Sequence, residues 1–343
     1  MSVSMARESN LIERRSDFPH PSPVGSTPLP VTSAPRSRSW FREFGIPLLL
    51  LAISIVTTTA IGARFMQNFK DGLPSVASES DVWPWPWLLQ NPTNFSLGWP
   101  FSFALLGILM AHEFGHYIAC RLHGIDATLP WVLPAPTLSG TAGAVIQIRG
   151  RIPSRGALMD VGIYGPLAGY CVSLVAVIVG FLLSHTALPN QPASLIGFGE
   201  PLTIRIVHSL VNAVHPGVPA FASALRHPVL IAGWVGLFIT SLNLIPGGQL
   251  DGGHVLYALW PGLHKKVTWL LPIALILCGI YFWVGWILWG LLLFIPAMRH
   301  PRVAVEPPLN RSRMILGWVA ALLFVLTFSV EPFSASSVLH YLR

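Results

Sequence analysis

Six apolar stretches, almost empty of charge, limit what this chain can fold into. They are Ile46–Ala63, Phe101–Cys120, Val161–Leu183, Val229–Ile245, Val267–Met298 and Met314–Val330. Five are close to the ~20 residues that a helix needs to cross a hydrocarbon layer. Val267–Met298 is too long for one crossing, so a hairpin of two short spans broken near Gly279–Gly285 is expected there. Only 10% of the chain is Asp, Glu, Lys or Arg, and its mean hydropathy is +0.60. Soluble domains carry about 25% charged residues. There is too little charge to coat a soluble protein of 343 residues, and a large soluble enzyme is excluded.

Positive charge orients the spans. With the N-terminus in the cytoplasm, all 21 Lys and Arg residues except Arg64, Lys70, Arg205, Arg226 and Arg343 fall on the cytoplasmic side. That is the bias expected of a multi-pass membrane protein. The net charge of +7 therefore marks orientation and not a nucleic-acid surface. The expected fold is an all-α polytopic membrane protein with about seven transmembrane helices in the lipid bilayer. Its N-terminus would be cytoplasmic and its C-terminus outside. A bacterial inner membrane is the expected location. A plastid is the weaker choice, because Glu8, Glu13, Asp17 and Glu43 are out of place in a transit peptide.

Four regions follow. Residues 1–45, rich in Ser, Pro and Arg, read as a disordered tail. Residues 46–98 hold the first helix and an outer linker, where Trp83, Trp85, Trp87 and Trp99 suit a membrane interface. Residues 99–262 hold a core of three helices, and residues 263–343 the C-terminal helices. Within 184–228, the spacing of Ile206, Val207, Leu210, Val211 and Val214 predicts an amphipathic helix lying on the membrane. The alternation in Ala144–Arg149 predicts a short strand. Cys120, Cys171 and Cys278 lie in or at the end of apolar stretches and read as packing residues.

Charges within hydrocarbon are costly and usually functional. Among the 14 acidic residues, Glu113 falls well inside a span, in His112-Glu113-Phe114-Gly115-His116. On a helix, positions i and i+4 share a face, so both imidazoles can reach one Zn²⁺. Glu113 beside them can take a proton from a zinc-bound water. A catalytic zinc needs a third protein ligand, and the candidates are Cys120, His123 and Asp251. Cys120 lies two turns from His112, too far for three ligands on one regular helix. His123 is off the face. Asp251 sits where the fourth span ends, in Asn243-Leu-Ile-Pro246-Gly-Gly-Gln-Leu250-Asp251-Gly252-Gly253-His254. Pro246 and flexible glycines at 247, 248, 252 and 253 are expected to break the helix there. A metal transporter would spread polar groups along its spans, and these spans hold almost none.

At these residues the chain resembles the site-2 protease family of intramembrane zinc metalloproteases. Three features match in order: His112-Glu113-x-x-His116, Gly165-Pro166-Leu167-Ala168-Gly169, and Asn243-x-x-Pro246-x-x-x-Leu250-Asp251-Gly252. The resemblance covers about residues 99–262 and is nearest the subgroup shared by bacteria and plastids, without an inserted PDZ domain. It implies one Zn²⁺ per chain on His112, His116 and Asp251, with Glu113 as base and Asn243 holding substrate or stabilising the oxyanion. It implies that Thr137–Pro153, with Gly140, Thr141 and Gly143, is a membrane-associated β element that binds substrate along its edge. The Gly165–Gly169 motif is expected to serve close helix packing. The partners so implied are transmembrane protein substrates.

Overall fold

The computed structural model describes residues 40–187, 192, 194–298, 300, 301, 303 and 308–334. The expected tail lies outside the described residues up to 39. Its last residues correct that expectation: Trp40 and a π-helical turn, Phe41–Gly45, run straight into helix α1 (Ile46–Lys70). Gly45 and Pro47 sit at the junction, with Pro47 in the first turn of α1 itself.

Helix α1 continues past its apolar run because Arg64 and Asn68 find a buried partner. Asp81 accepts from Arg64 Nε at 2.9 Å, from Asn68 Nδ2 at 2.8 Å and from the N–H groups of Ala77 and Ser78. The Arg64 guanidinium also lies over the Trp87 ring, 4.8 Å from its centroid. Trp87 belongs to the short helix α2 (Trp85–Gln90).

Helix α3 (Trp99–Leu122) then leads to a β-hairpin, β1 (Trp131–Pro134) and β2 (Thr141–Val145), paired antiparallel. An isolated bridge between Ala127 and Ile148 extends it. Strand β2 therefore begins three residues before the expected alternation and ends at Val145. Of the expected 144–149 only Ala144 and Val145 lie in it, and Ile148 joins by the isolated bridge. Its partner β1 carries no alternation of its own. The hairpin lies along α1, where Ser54 Oγ donates to the Val132 carbonyl at 3.2 Å and Thr57 Oγ1 to the Gly140 carbonyl at 2.6 Å. Gly140 has φ +77°, and a Cβ there would meet the Thr57 carbonyl.

Helix α4 (Arg155–Leu183) is the centre of the fold and packs against α3. It also contacts four later helices: α5 (Leu202–Val214), α6 (Pro228–Asn243), α7 (Asp251–Leu259) and α10 (Arg311–Thr327). The approach is close because small residues line it. A Cβ at Gly115 would overlap the Tyr164 carbonyl, and one at Gly180 the Leu230 backbone. The small strands β3 (His185–Thr186) and β4 (Ala224–Leu225) pair between α4 and α6.

The amphipathic helix is α5, with its apolar residues split over two rows. Ile204, Val207 and Val211 are buried, while Leu202, Ile206, Leu210 and Val214 are exposed. The long C-terminal apolar run forms two helices, α8 (Pro261–Tyr281) and α9 (Gly285–Phe294), separated at Phe282–Val284. They fold back on each other, with Gly279 against Ile287 and Gly290 against Ile276.

Among the described residues, four helical segments are long and apolar enough to cross a membrane: Glu43–Lys70, Pro92–Leu122, Arg155–Leu183 and Pro261–Tyr281. Helices α5, α6 and α9 are shorter apolar helices.

Candidate metal centre

His112 and His116 project from one face of α3, with ring centroids 4.8 Å apart. Both are buried, as is Glu113 between them. Among the described residues these three form the one group of at least three possible metal ligands whose donor atoms all lie within 4.8 Å of one another. Opposite them stands Asp251, the first residue of α7. Its Oδ2 is 3.2 Å from His112 Nε2 and 3.3 Å from His116 Nε2. Asn243, the last residue of α6, places Nδ2 3.3 Å from His112 Nε2.

The other two ligand candidates go elsewhere. Cys120 is fully buried with Ala119, Ile125, Ala157 and Val161. His123 Nε2 donates to Asp160 Oδ2 at 2.8 Å, and Arg313 Nε and Nη2 donate to the same carboxylate at 3.1 and 2.6 Å. The apolar run of the third span begins at Val161, one residue after Asp160. Asp160 is nonetheless one turn inside α4 and buried, where His123, just after α3, and Arg313 of α10 both donate to its carboxylate.

The backbone explains the convergence. After Asn243 the chain turns through residues 244–250, with Gly248 at φ +57°. Gly252 and Gly253 do not break the helix as expected, because both lie inside α7. Their bareness serves close approach. A Cβ at Gly252 would overlap the Leu244 carbonyl, and one at Gly253 the Gly247 and Gly248 carbonyls. The turn can therefore fold flat onto α7, which carries Asp251 back to α3.

The Gly165–Gly169 motif packs against the two rings. A Cβ at Gly165 would overlap the His116 ring, and one at Gly169 would lie 3.0 Å from His112 Nδ1. His116 Nδ1 is 2.7 Å from the Val161 carbonyl, which can only accept. Nδ1 therefore carries a proton, which leaves Nε2, facing Asp251, as the nitrogen that could bind a metal. A backbone carbonyl that fixes the tautomer in this way is typical of metal-binding histidines. Two imidazole nitrogens and a carboxylate oxygen are a donor set that zinc takes in catalytic sites, so the residues fit the ion.

The site opens into a cavity of about 370 Å³. One wall is the stretch Ala144–Ile148 at the end of the hairpin, and the other includes Asn243, Gln249 and His254. The Ile146 N–H faces the Glu113 carboxyl across the cavity wall. Gly140, Thr141 and Gly143 lie further along the hairpin. Gly140 sits against α1. Thr141 Oγ1 donates to the Leu133 carbonyl at 2.7 Å and accepts from the Gly143 N–H at 3.0 Å. Residues 144–148 fall inside the predicted strand and the expected β element, whereas His254 is not among the expected site residues. His254 had a signal, since it lies three positions after Asp251 on the same helix face.

The chain is similar to several curated proteins. It is 31% identical to "Probable zinc metalloprotease EGY1, chloroplastic" of Arabidopsis thaliana over 239 residues, covering 66% of this chain and 42% of the relative. The rice (Oryza sativa subsp. japonica) protein of the same name is 34% identical over 160 residues, covering 46% and 27%. "Probable zinc metalloprotease EGY2, chloroplastic" of Arabidopsis thaliana is 27% identical over 190 residues, covering 53% and 32%. The chain thus spans less than half the length of these relatives. The model of peptidase family M50 matches residues 100–279, just over half of the chain, and takes in the whole of the site. The chain belongs to peptidase family M50.

Proposed function

We propose that this protein is an intramembrane zinc metalloprotease that cuts peptide bonds within or near transmembrane segments of membrane proteins. The observation that carries this reading is that Asp251 Oδ2 lies within 3.3 Å of both His112 Nε2 and His116 Nε2, beside Glu113 in a cavity walled by residues 144–148 at the end of the hairpin. One zinc ion on these three residues would polarise the scissile carbonyl and make water a nucleophile at neutral pH.

The chain's own groups carry the remaining steps. Glu113 accepts a proton from the attacking water and passes it to the leaving amine. Asn243 Nδ2 donates to the carbonyl oxygen as negative charge develops there. A substrate helix hides its peptide groups in its own hydrogen bonds, so it must unwind before attack. The unwound segment can lie as an added strand along residues 144–148.

The positive-charge bias supports a multi-pass protein of about seven crossings with a cytoplasmic N-terminus. Helix α9 is short, at ~15 Å. It need return only as far as the turn after α6, because Met298 lies against Gly248. We place the protein in a bacterial inner membrane. The chloroplastic relatives make a plastid membrane the alternative.

The test is purified protein in vesicles with a panel of single-span proteins. Cleavage should require zinc, stop on chelation and recover on adding zinc back. Glu113→Gln should bind zinc but cleave nothing. Measurable turnover by that variant would remove Glu113 from its role.

A further inference from the structure

The cavity wall opposite the hairpin holds a second polar system. His254 lines the cavity from α7, and its Nδ1 lies 2.9 Å from His300 Nε2. His300 follows α9 and is clamped onto α7. Its ring stacks on Tyr257 at 4.2 Å and 8°, and the edge of His264 packs against it at 5.2 Å. Tyr257 Oη accepts from the Val303 N–H at 3.2 Å, fixing the same loop.

His300 Nδ1 is 2.6 Å from the Pro301 carbonyl, and a carbonyl only accepts. His300 Nδ1 therefore carries hydrogen. Burial pushes the His300 imidazole down to about 4, so at neutral pH its Nε2 holds a lone pair. That lone pair accepts from His254 Nδ1–H. His254 Nε2 is then left as an acceptor.

A peptide added as a strand has two edges. One edge pairs with residues 144–148. The other presents a carbonyl and an N–H from every second residue to the opposite wall. Asn243 Nδ2 is a donor there and suits a carbonyl. We propose that His254 is a further substrate-binding residue, its Nε2 accepting a main-chain N–H of the unwound substrate. His300 is the positioning residue that fixes the tautomer. Asn243 and His254 together would present one donor and one acceptor, as a neighbouring strand does. The N–H involved belongs to the residue whose carbonyl Asn243 meets or to the one two places on, since both face the same edge.

This inference rests on the protease reading for its ligand, and the experiment separates the two. Binding of a single-span peptide is measured with the Glu113→Gln protein in vesicles, each main-chain amide near the scissile bond being replaced in turn by an ester. One ester should weaken binding about tenfold, the effect of one lost hydrogen bond. His254→Phe should weaken binding of the all-amide peptide by the same factor, and the ester should then cost nothing more. His300→Gln, whose amide oxygen can accept from His254, should keep binding near the parent value. His300→Leu should not. ¹⁵N spectra of histidine-labelled full-length protein should show the His254 proton on Nδ1.

A proton on Nε2 overturns the proposal, as do losses that multiply at every ester position. A protein that binds the peptide as described but never cleaves with Glu113 intact loses the protease reading and keeps this one. A protein that binds no single-span peptide loses both.

Discussion

At the scale of single residues, the metal centre depends on side chains that are missing as much as on those present. Gly165 gives the His116 ring its place, and the smallest added group would fall on that ring. Gly165→Ala should lower zinc affinity by tenfold or more, an effect of the size seen when the supports of metal ligands are disturbed. Metal analysis after dialysis against graded chelator measures this. Gly107→Ala is the control, on helix α3 with the two histidines. Nothing lies within 4 Å of its Cβ position, and zinc retention should not change. Asp251→Asn exchanges a charged ligand for a neutral amide, so it should leave the protein folded with reduced zinc content. Unchanged zinc content would exclude Asp251 from the ligand set. The sequence exposed His112, Glu113 and His116 because their spacing is local and a Glu inside a span is conspicuous. It could not expose the fit of Gly165 against His116, because those residues are 49 positions apart and a glycine in a span resembles any other packing glycine.

At the scale of elements, the hairpin is held by a helix outside the three-helix core. Thr57 supplies the Gly140 carbonyl with its hydrogen bond at 2.6 Å, and Ser54 supplies that of Val132. Irregular backbone at membrane depth needs such partners. Thr57→Val should loosen the hairpin by about 1 kcal/mol. It should speed amide exchange at residues 134–145 more than in α4. Gly140→Ala should do more, because it combines a strained φ of +77° with a Cβ against the Thr57 carbonyl. Equal exchange in parent and variant hairpins would show that α1 does not secure them. Helix positions were legible because apolar runs are continuous, and the break in the C-terminal run fell within the expected interval. Strand β1 was not legible, since the partner of a four-residue strand is fixed by pairing and not by any pattern of its own.

At the scale of the whole molecule, two buried carboxylates join distant parts of the chain. Asp160 collects His123 and Arg313, linking α3, α4 and α10. Removing its charge strands those donors. Arg313 is 30% exposed, so solvent moderates the loss, and Asp160→Asn should cost about 2 kcal/mol. Reversible unfolding in detergent would measure it. Asp81 does similar work in the outer linker. Burial pushes its carboxyl up, but Arg64, Asn68 and the Ala77 and Ser78 N–H groups together outweigh this and hold it below the ordinary carboxylate value. A depressed folded-state value means stability that is full above the unfolded carboxylate pKa, ~3.9. That stability is lost as pH falls through the folded value. Thermal stability between pH 6 and 3 should therefore fall more steeply in the parent than in Asp81→Asn. An equal slope would mean that Asp81 adds nothing to acid sensitivity.

The sequence alone determined a chain of apolar, membrane-length helices, the positions of most of them, and a His-Glu-x-x-His group that could hold a metal ion. These rest on composition and on spacings within one or two helical turns, which a chain shows without being folded. Only the tertiary structure decided which of Cys120, His123 and Asp251 stands beside the two imidazoles. It also decided that residues 144–148 form the wall of the cavity, and that His254 meets His300. Each of these depends on contacts between positions dozens of residues apart, where small side chains let backbones touch. Such contacts follow from how the helices pack, and no local pattern in the sequence records them.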